Sequence, residues 1–437
     1  MTLGQAHLRR LVLALNQVPV LGRLTRIPYH VAAYAVAALA RLTPEVSALY
    51  VKGTFARNCW TPGTSDIDLT LVLREGLSPE AEFAAASTFL QKFQSLTWLF
   101  PMLGEVQILR ETYLRSAQRF GLDGYEMRFW RPLAGGVPTG FEPWQPERLH
   151  AERLRYALRF YRHHFPHRSR SRLTGAVTTC QRLHRKIRRV LEAPPVSAVP
   201  DAIALMAQTL ALIDSTPWAP GPSDPPHDLM VQKDLSPPDR RTLPASLEPV
   251  RHHLHGIVGI DWDSRNPYVV AHSGLPAAVL GQIMSAAALA FDEPIVLTRS
   301  TFESFLHLAD PLLFFGLWRA RILWGEGDPL TEIAAPGRET TRLAVCRSIS
   351  DFYLFPFDPA LATMTEERFR SLLVGWVLRG LRFLEDGYVD LDYHTAEAYF
   401  ARTGRDIRYL PETWEPRFVL CRRFADDLQR CLPDHSM

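Results

Sequence analysis

Cysteine is scarce in this chain: five in 437 residues, at Cys59, Cys180, Cys346, Cys421 and Cys431. Their scatter excludes a disulfide scaffold, and they read as the reduced thiols of a cytoplasmic protein. Long apolar runs are missing as well. None reaches the ~20 residues that a bilayer crossing needs, so no membrane span is expected. Arg9-Arg10 followed by an apolar stretch has the outline of a secretory leader. Asn16, Gln17 and Pro19 interrupt it and no small-residue cleavage site follows, so it reads as a packing helix. No repeat of fixed period is visible, which argues against a solenoid or propeller. Charge of one sign is nearly absent in net terms: 49 Lys and Arg stand against 46 Asp and Glu, for +3 overall. A balance that small does not by itself imply a polyanionic partner.

The length is enough for two or three domains, and 47% hydrophobic with 22% charged residues is an ordinary globular balance. Residues 30–42 are alanine-rich and predict a helix, and 46–51 predict the strand that follows it. Residues 147–192 are the most biased part of the chain. Thirteen Arg or Lys stand there against Glu147, Glu152 and Glu192, a local excess of ten, while the rest of the chain sums to −7. The segment predicts two helices, either solvated or offering a surface to phosphates. Residues 215–246 hold eight prolines and no apolar period, as a linker or loop does. Beyond them the pattern is mixed but mainly helical, with a short strand expected at 294–298. The expected division is therefore 1–145 as a first lobe, 146–214 as a basic helical region, 215–248 as a Pro-rich linker or loop, and 249–437 as a mainly helical C-terminal domain.

Three Asp-x-Asp pairs occur, at 66/68, 261/263 and 390/392. Asp261 and Asp263 have glycines only at 256 and 259, too close upstream for a loop plus helix, and Asp390 and Asp392 also lack a suitable spacing. Both pairs read as turn or surface acids. The first pair differs. Gly53-Thr54 forms a small-residue turn thirteen positions before Asp66. Backbone N–H groups and a hydroxyl at such a turn are suited to phosphate. Ile67-Asp-Leu-Thr-Leu-Val-Leu73 alternates and is rich in strand formers. Side chains two apart share a face, so Asp66 and Asp68 stand side by side with Ile67, Leu69 and Leu71 behind them. Two adjacent carboxylates repel unless a cation lies between them, and hard oxygen donors suit Mg²⁺ or Mn²⁺.

A Gly-Ser or Gly-Gly turn opening a helix, then Asp-hydrophobic-Asp on a strand, is the pattern of the DNA polymerase β-type nucleotidyltransferase superfamily. This stretch resembles it, and Gly53-Thr54-Phe55-Ala56-Arg57-Asn58 is similar to the longer form Gly-Ser-x-Ala-Arg-Gly. Thr54 keeps the hydroxyl of the usual Ser, and Asn58 replaces a Gly while still tolerating a left-handed turn. The resemblance covers residues 40–110. It implies an α+β fold: an N-terminal nucleotidyltransferase lobe on a small mixed β-sheet, followed by mainly helical regions. It implies a third metal-binding carboxylate on a neighbouring strand, for which Glu105 in Leu103–Leu109 fits. Gln107 shares that face and competes for the position. It further implies Asp66, Asp68 and Glu105 as catalytic metal ligands for Mg²⁺ or Mn²⁺. Gly53, Thr54 and Arg57 would hold a nucleoside triphosphate, and the acceptor is left open among small molecule, protein and RNA. The other readings are a nucleotide-binding or regulatory module without catalysis, and a signalling-nucleotide synthase or RNA-end modifier.

Overall fold

The computed structural model describes residues 24–58, 60–63, 65–114, 124–136, 145–164, 175–195, 201–218, 242–260, 263–310, 322–325, 335–338, 340–343, 355–387 and 409–431, with isolated positions between them. The chain is mixed α and β. It falls into two compact units: residues 1–142 together with 346–437, and residues 143–345. The Pro-rich segment lies inside the second unit, and its 219–241 portion is outside the described residues.

In the first unit, helix α1 (Ile27–Arg41) has Pro28 in its opening turn and Arg41 in its last, both placed as helix ends favour. Its buried face is Tyr29, Ala32, Ala33, Val36, Ala37 and Ala40, the spacing of one helical stripe. Strand β1 (Val46–Lys52) leads into a single helical turn, α2 (Gly53–Ala56), and the chain returns as β2 (Ile67–Leu73). Helix α3 (Pro79–Leu99) follows, capped by the Ser78 side chain, which accepts from the Ala81 N–H. Strands β3 (Leu103–Arg110) and β4 (Arg131–Gly135) complete a sheet of order β3-β2-β1-β4. β1 is antiparallel to β2 and to β4, whereas β2 and β3 are parallel. A parallel pair cannot be joined by a hairpin, and α3 is the crossover that joins this one.

The core of this unit takes the odd-numbered face of the central strands. Leu49, Val51, Ile67, Leu69 and Leu71 pack with α1 residues and with Phe89 and Phe93 of α3. Phe357 and Phe418, from the far end of the sequence, belong to the same core. The C-terminal helix (Trp414–Cys431) sets Trp414 and Phe418 against Phe83, with ring centroids 5.1 and 5.5 Å apart. Beside them, Glu82 is fully buried between Arg422, whose Nε donates to it at 2.6 Å, and Arg110.

The second unit contains α4 (Pro146–His164), α5 (Gly175–Val190) and α6 (Ala202–Asp214), then strands β5 (Leu254–Ile260) and β6 (Asp263–Ala271), helix α7 (Ala277–Ala290), and strands β7 (Ile295–Thr298) and β8 (Ile322–Gly325). These strands form a second four-stranded sheet, of order β7-β6-β5-β8. The strand expected at 294–298 is β7, and it belongs to a sheet whose other strands the sequence did not announce. Gly256, Gly259 and Pro267 interrupt the strand signal in the sequence, because such residues usually mark turns or strand edges. Tertiary pairing overrides them: Ile257, Val258, Tyr268, Val269 and Val270 are all fully buried.

Several cations of the two basic helices are used within the unit. Arg155 pairs with Glu152 in the interior, Arg153 with Glu192, and Arg162 donates to the Tyr268 hydroxyl at 2.9 Å. Lys186 Nζ lies over the Phe160 ring at 4.2 Å. His184 is buried against the Thr209 hydroxyl at 2.7 Å. Burial, with Arg188 adding to it, pulls its pKa down to about 4. Cys180, Cys346, Cys421 and Cys431 are free thiols. Among the described residues, no helix is long and apolar enough to cross a membrane.

Candidate functional site

The sheet face opposite the first unit's core is the polar one. Asp68 is the cross-strand partner of Lys52, and the register Thr70↔Gln107 puts Gln107 on the same face. Glu105, two residues before Gln107, shares it. The structure thus brings Asp66, Asp68, Glu105 and Gln107 to one end of the β1–β2–β3 surface. Asp66 sits just before β2 and is exposed, and Asp68 is half-buried. Burial pushes the Asp68 carboxyl above its ordinary range. Lys52 pulls it back down, Glu105 and Asp66 push it up, and the Glu105 backbone N–H lowers it by donating to the carboxylate. Asp66 and Glu105 thus both act on Asp68 by like charge, with Lys52 opposing them.

Glycines make the close approach possible. A Cβ on Gly104 would lie 2.6 Å from Asp68 Oδ1 and 3.1 Å from the Asp66 Cβ; one on Gly53 would lie 3.1 Å from Asp68 Oδ2. Gly53 also has φ +66°, a conformation that side chains resist. The α2 turn and β3 thus both lie close against the Asp68 carboxylate. Aromatic packing fixes the rest of the β1–β2 connection. Trp60 stacks between Tyr29 and Phe55, at 4.7 and 4.9 Å, and the Gly63 N–H donates to the Tyr29 hydroxyl at 2.7 Å.

Three features were not legible in the sequence. Lys52, buried at the end of β1, donates from Nζ to Glu105 Oε1 at 3.0 Å. Its only sequence signal is a lone cation ending an apolar strand. Gln107 Nε2 donates to the same Glu105 oxygen at 3.1 Å, so Gln107 supports the acid rather than replacing it. Arg57, expected to face the triphosphate, forms an ion pair with Glu126 and lies over the Phe129 ring at 4.8 Å. Its charge is partly neutralised there. Thr54 is exposed on α2, and Gly53 heads the turn.

The donor set consists of hard oxygens crowded beyond their own comfort, and this chemistry fits Mg²⁺ or Mn²⁺. Among the described residues, no group of three or more His, Cys, Asp or Glu is arranged to close round an ion. Glu105 is turned to Lys52 instead. Lys52 acts as an internal counter-cation for the acids. Lys52→Met should lower the melting temperature in chelator, and added Mg²⁺ should restore most of the loss. A loss that Mg²⁺ leaves untouched would show that Lys52 serves packing alone.

Of the other Asp-x-Asp pairs, Asp263 begins β6, with 261–262 just outside the described residues, and Asp390 and Asp392 also lie outside them. No family model, no curated protein and no solved structure matches the chain.

Proposed function

We propose that the protein is a nucleotidyltransferase that moves a nucleoside monophosphate from a nucleoside triphosphate to a hydroxyl group, releasing pyrophosphate. One observation carries this reading: Asp66, Asp68 and Glu105 meet on one sheet face directly against the Gly53-Thr54 turn. In the reaction the acceptor oxygen forms a bond to the α-phosphorus while the bond to the bridging α–β oxygen breaks. Pyrophosphate leaves with that electron pair, and the hydroxyl loses its proton. Divalent ions bound by Asp66, Asp68 and Glu105 would stabilise the developing charge on the attacking and leaving oxygens. The chain's own part is to hold the groups still. Gly53 and Thr54 offer N–H groups and a hydroxyl to the outer phosphates. Glu105, released from Lys52, helps loosen the acceptor proton, and Lys52 is then free to balance phosphate charge.

A second reading is favoured by one specific contact. Because Lys52 already supplies a cation to Glu105, the same face suits a nucleotide-binding module without turnover. The two readings part on incubation with each labelled triphosphate, Mg²⁺ or Mn²⁺, and a cell extract. Label appearing in a small molecule, protein or RNA supports transfer and names the acceptor class. Binding without any labelled product supports the module.

Glu105 and Gln107 separate cleanly by mutation. Glu105→Gln should lower turnover by about three orders of magnitude, as expected when charge leaves a phosphoryl-transfer site. Gln107→Ala should cost little, since it removes one hydrogen bond to a side chain that is mostly exposed. The opposite ranking in steady-state kinetics would move the third carboxylate's role away from Glu105.

A further inference from the structure

We propose that the sheet of the second unit is a second copy of the first unit's lobe that has lost its triphosphate-holding turn, so that the chain binds one nucleoside triphosphate and not two. The inference rests on the function proposed above for the first unit. Its ground is the topology. Both sheets have the same order and the same strand senses: β1 and β5 each lie between an antiparallel partner on either side, and β2 and β6 each run parallel to the next strand. Each parallel pair is joined by one helix, α3 or α7, and each sheet is preceded by a helix, α1 or α6, that packs on it.

The registers agree over the part of each sheet away from the β1–β2 and β5–β6 connections, and differ beside them, where β5–β6 has a second irregularity between Val258 and Ile260 and β2–β3 has one between Ile67 and Leu69. Val46↔Leu73 is followed by an irregularity and then Ala48↔Val72; Leu254↔Ala271 is followed by an irregularity and then Gly256↔Val270. On the other side, Ala48↔Gly135 and Leu49↔Ala134 are followed by an irregularity and Tyr50↔Pro132. Gly256↔Gly325 and Ile257↔Trp324 are followed by an irregularity and Val258↔Ile322. The parallel pairs match likewise, with Thr70↔Gln107 through Leu73↔Arg110 corresponding to Tyr268↔Ile295 through Ala271↔Thr298. Strand order alone could recur by chance in small mixed sheets. Bulges are position-specific features, and two of them at corresponding places in both sheets point to one ancestral unit used twice.

The copies differ where the first unit has its site. Fourteen residues, 53–66, connect β1 to β2 and carry Gly53, Thr54, Arg57 and Asp66. Only 261–262 connect β5 to β6. Ile260 takes the place of Lys52. Acids persist nearby: a second irregularity, between Val258 and Ile260, pairs Ile260 with Asp263 where a continued register would give Asn266, and counting back along the last paired strand puts Glu293 where Glu105 stands. Acids beside a two-residue connection can attract a cation, but that connection is too short for a turn like Gly53–Ala56 that would grip the outer phosphates. The triphosphate, rather than the metal alone, is therefore the discriminating probe.

Calorimetric titration of the full chain with the α,β-methylene analogues of ATP, GTP, CTP and UTP, in Mn²⁺, tests this. One site per chain is expected. The paired change Asp66→Asn with Asp68→Asn should weaken it by about tenfold or more, a difference of roughly 1.4 kcal/mol. Asp263→Asn with Glu293→Gln should leave the affinity as it was. Two sites per chain would overturn the inference while leaving the first unit's function standing. A loss confined to the second pair would place the one site in the second unit and overturn both. Binding of none of the four analogues would overturn both. The site count on the unaltered protein decides the matter even if a variant folds poorly.

Discussion

Asp68→Ala should abolish nucleotidyl transfer, with turnover falling by about 10³-fold or more, the size expected when a group that stabilises phosphoryl-transfer charge is removed. The melting temperature should hold or rise. Asp68 is held against Gly53 and Gly104, pressed by the charges of Asp66 and Glu105, and pushed above the ordinary carboxylate range by burial. Each of those features costs stability that Lys52 offsets only in part, so deleting the carboxylate should relieve the fold while removing the proposed function. The stability–function trade expected of a charged site gives the experiment two independent readings. Near-normal turnover in the variant would remove Asp68 from the chemistry. A large fall in melting temperature with chelator present would show that the carboxylate is structural.

Arg422→Met should cost about 3–5 kcal/mol of stability, because it strands a buried carboxylate. Glu82 is fully buried, and Arg422 reaches it from the C-terminal helix at 2.6 Å while also touching the Tyr113 hydroxyl and Asp426. Arg110 remains as a partner in the variant and holds the loss toward the lower end of that range. The pH dependence follows from the direction of the Glu82 shift. Burial raises its folded pKa to about 7, against the pull of Arg422, from an ordinary value of 4.5. A raised carboxyl binds its proton more tightly in the folded state, so its favourable contribution is present below the unfolded pKa and is lost as pH rises through about 7. Without Arg422 the folded pKa moves further up. The penalty should therefore be largest above neutrality and shrink as pH falls toward 5. Denaturant titrations across that range would detect it; a penalty that grows on acidification would contradict the role given to Glu82.

The sequence by itself determined the first half of the site. Alternation in Ile67–Leu73 and in Leu103–Arg110 assigns acids to one face and aliphatics to the other, since a strand repeats every two residues whatever surrounds it. The Gly53-Thr54 turn and the Ala-rich helix before β1 were equally local, and local signals act on chain stretches short enough to read. Tertiary structure alone decided the rest. Lys52 meets Glu105 across 53 residues, Arg57 meets Glu126 across 69, and Arg422 meets Glu82 across 340. No propensity carries a pairing over such separations. The second sheet was hidden for a related reason. Glycines and a proline mask the strand pattern of β5 and β6, and equivalence between the two sheets resides in hydrogen-bond register, which backbone atoms maintain after the side chains have diverged.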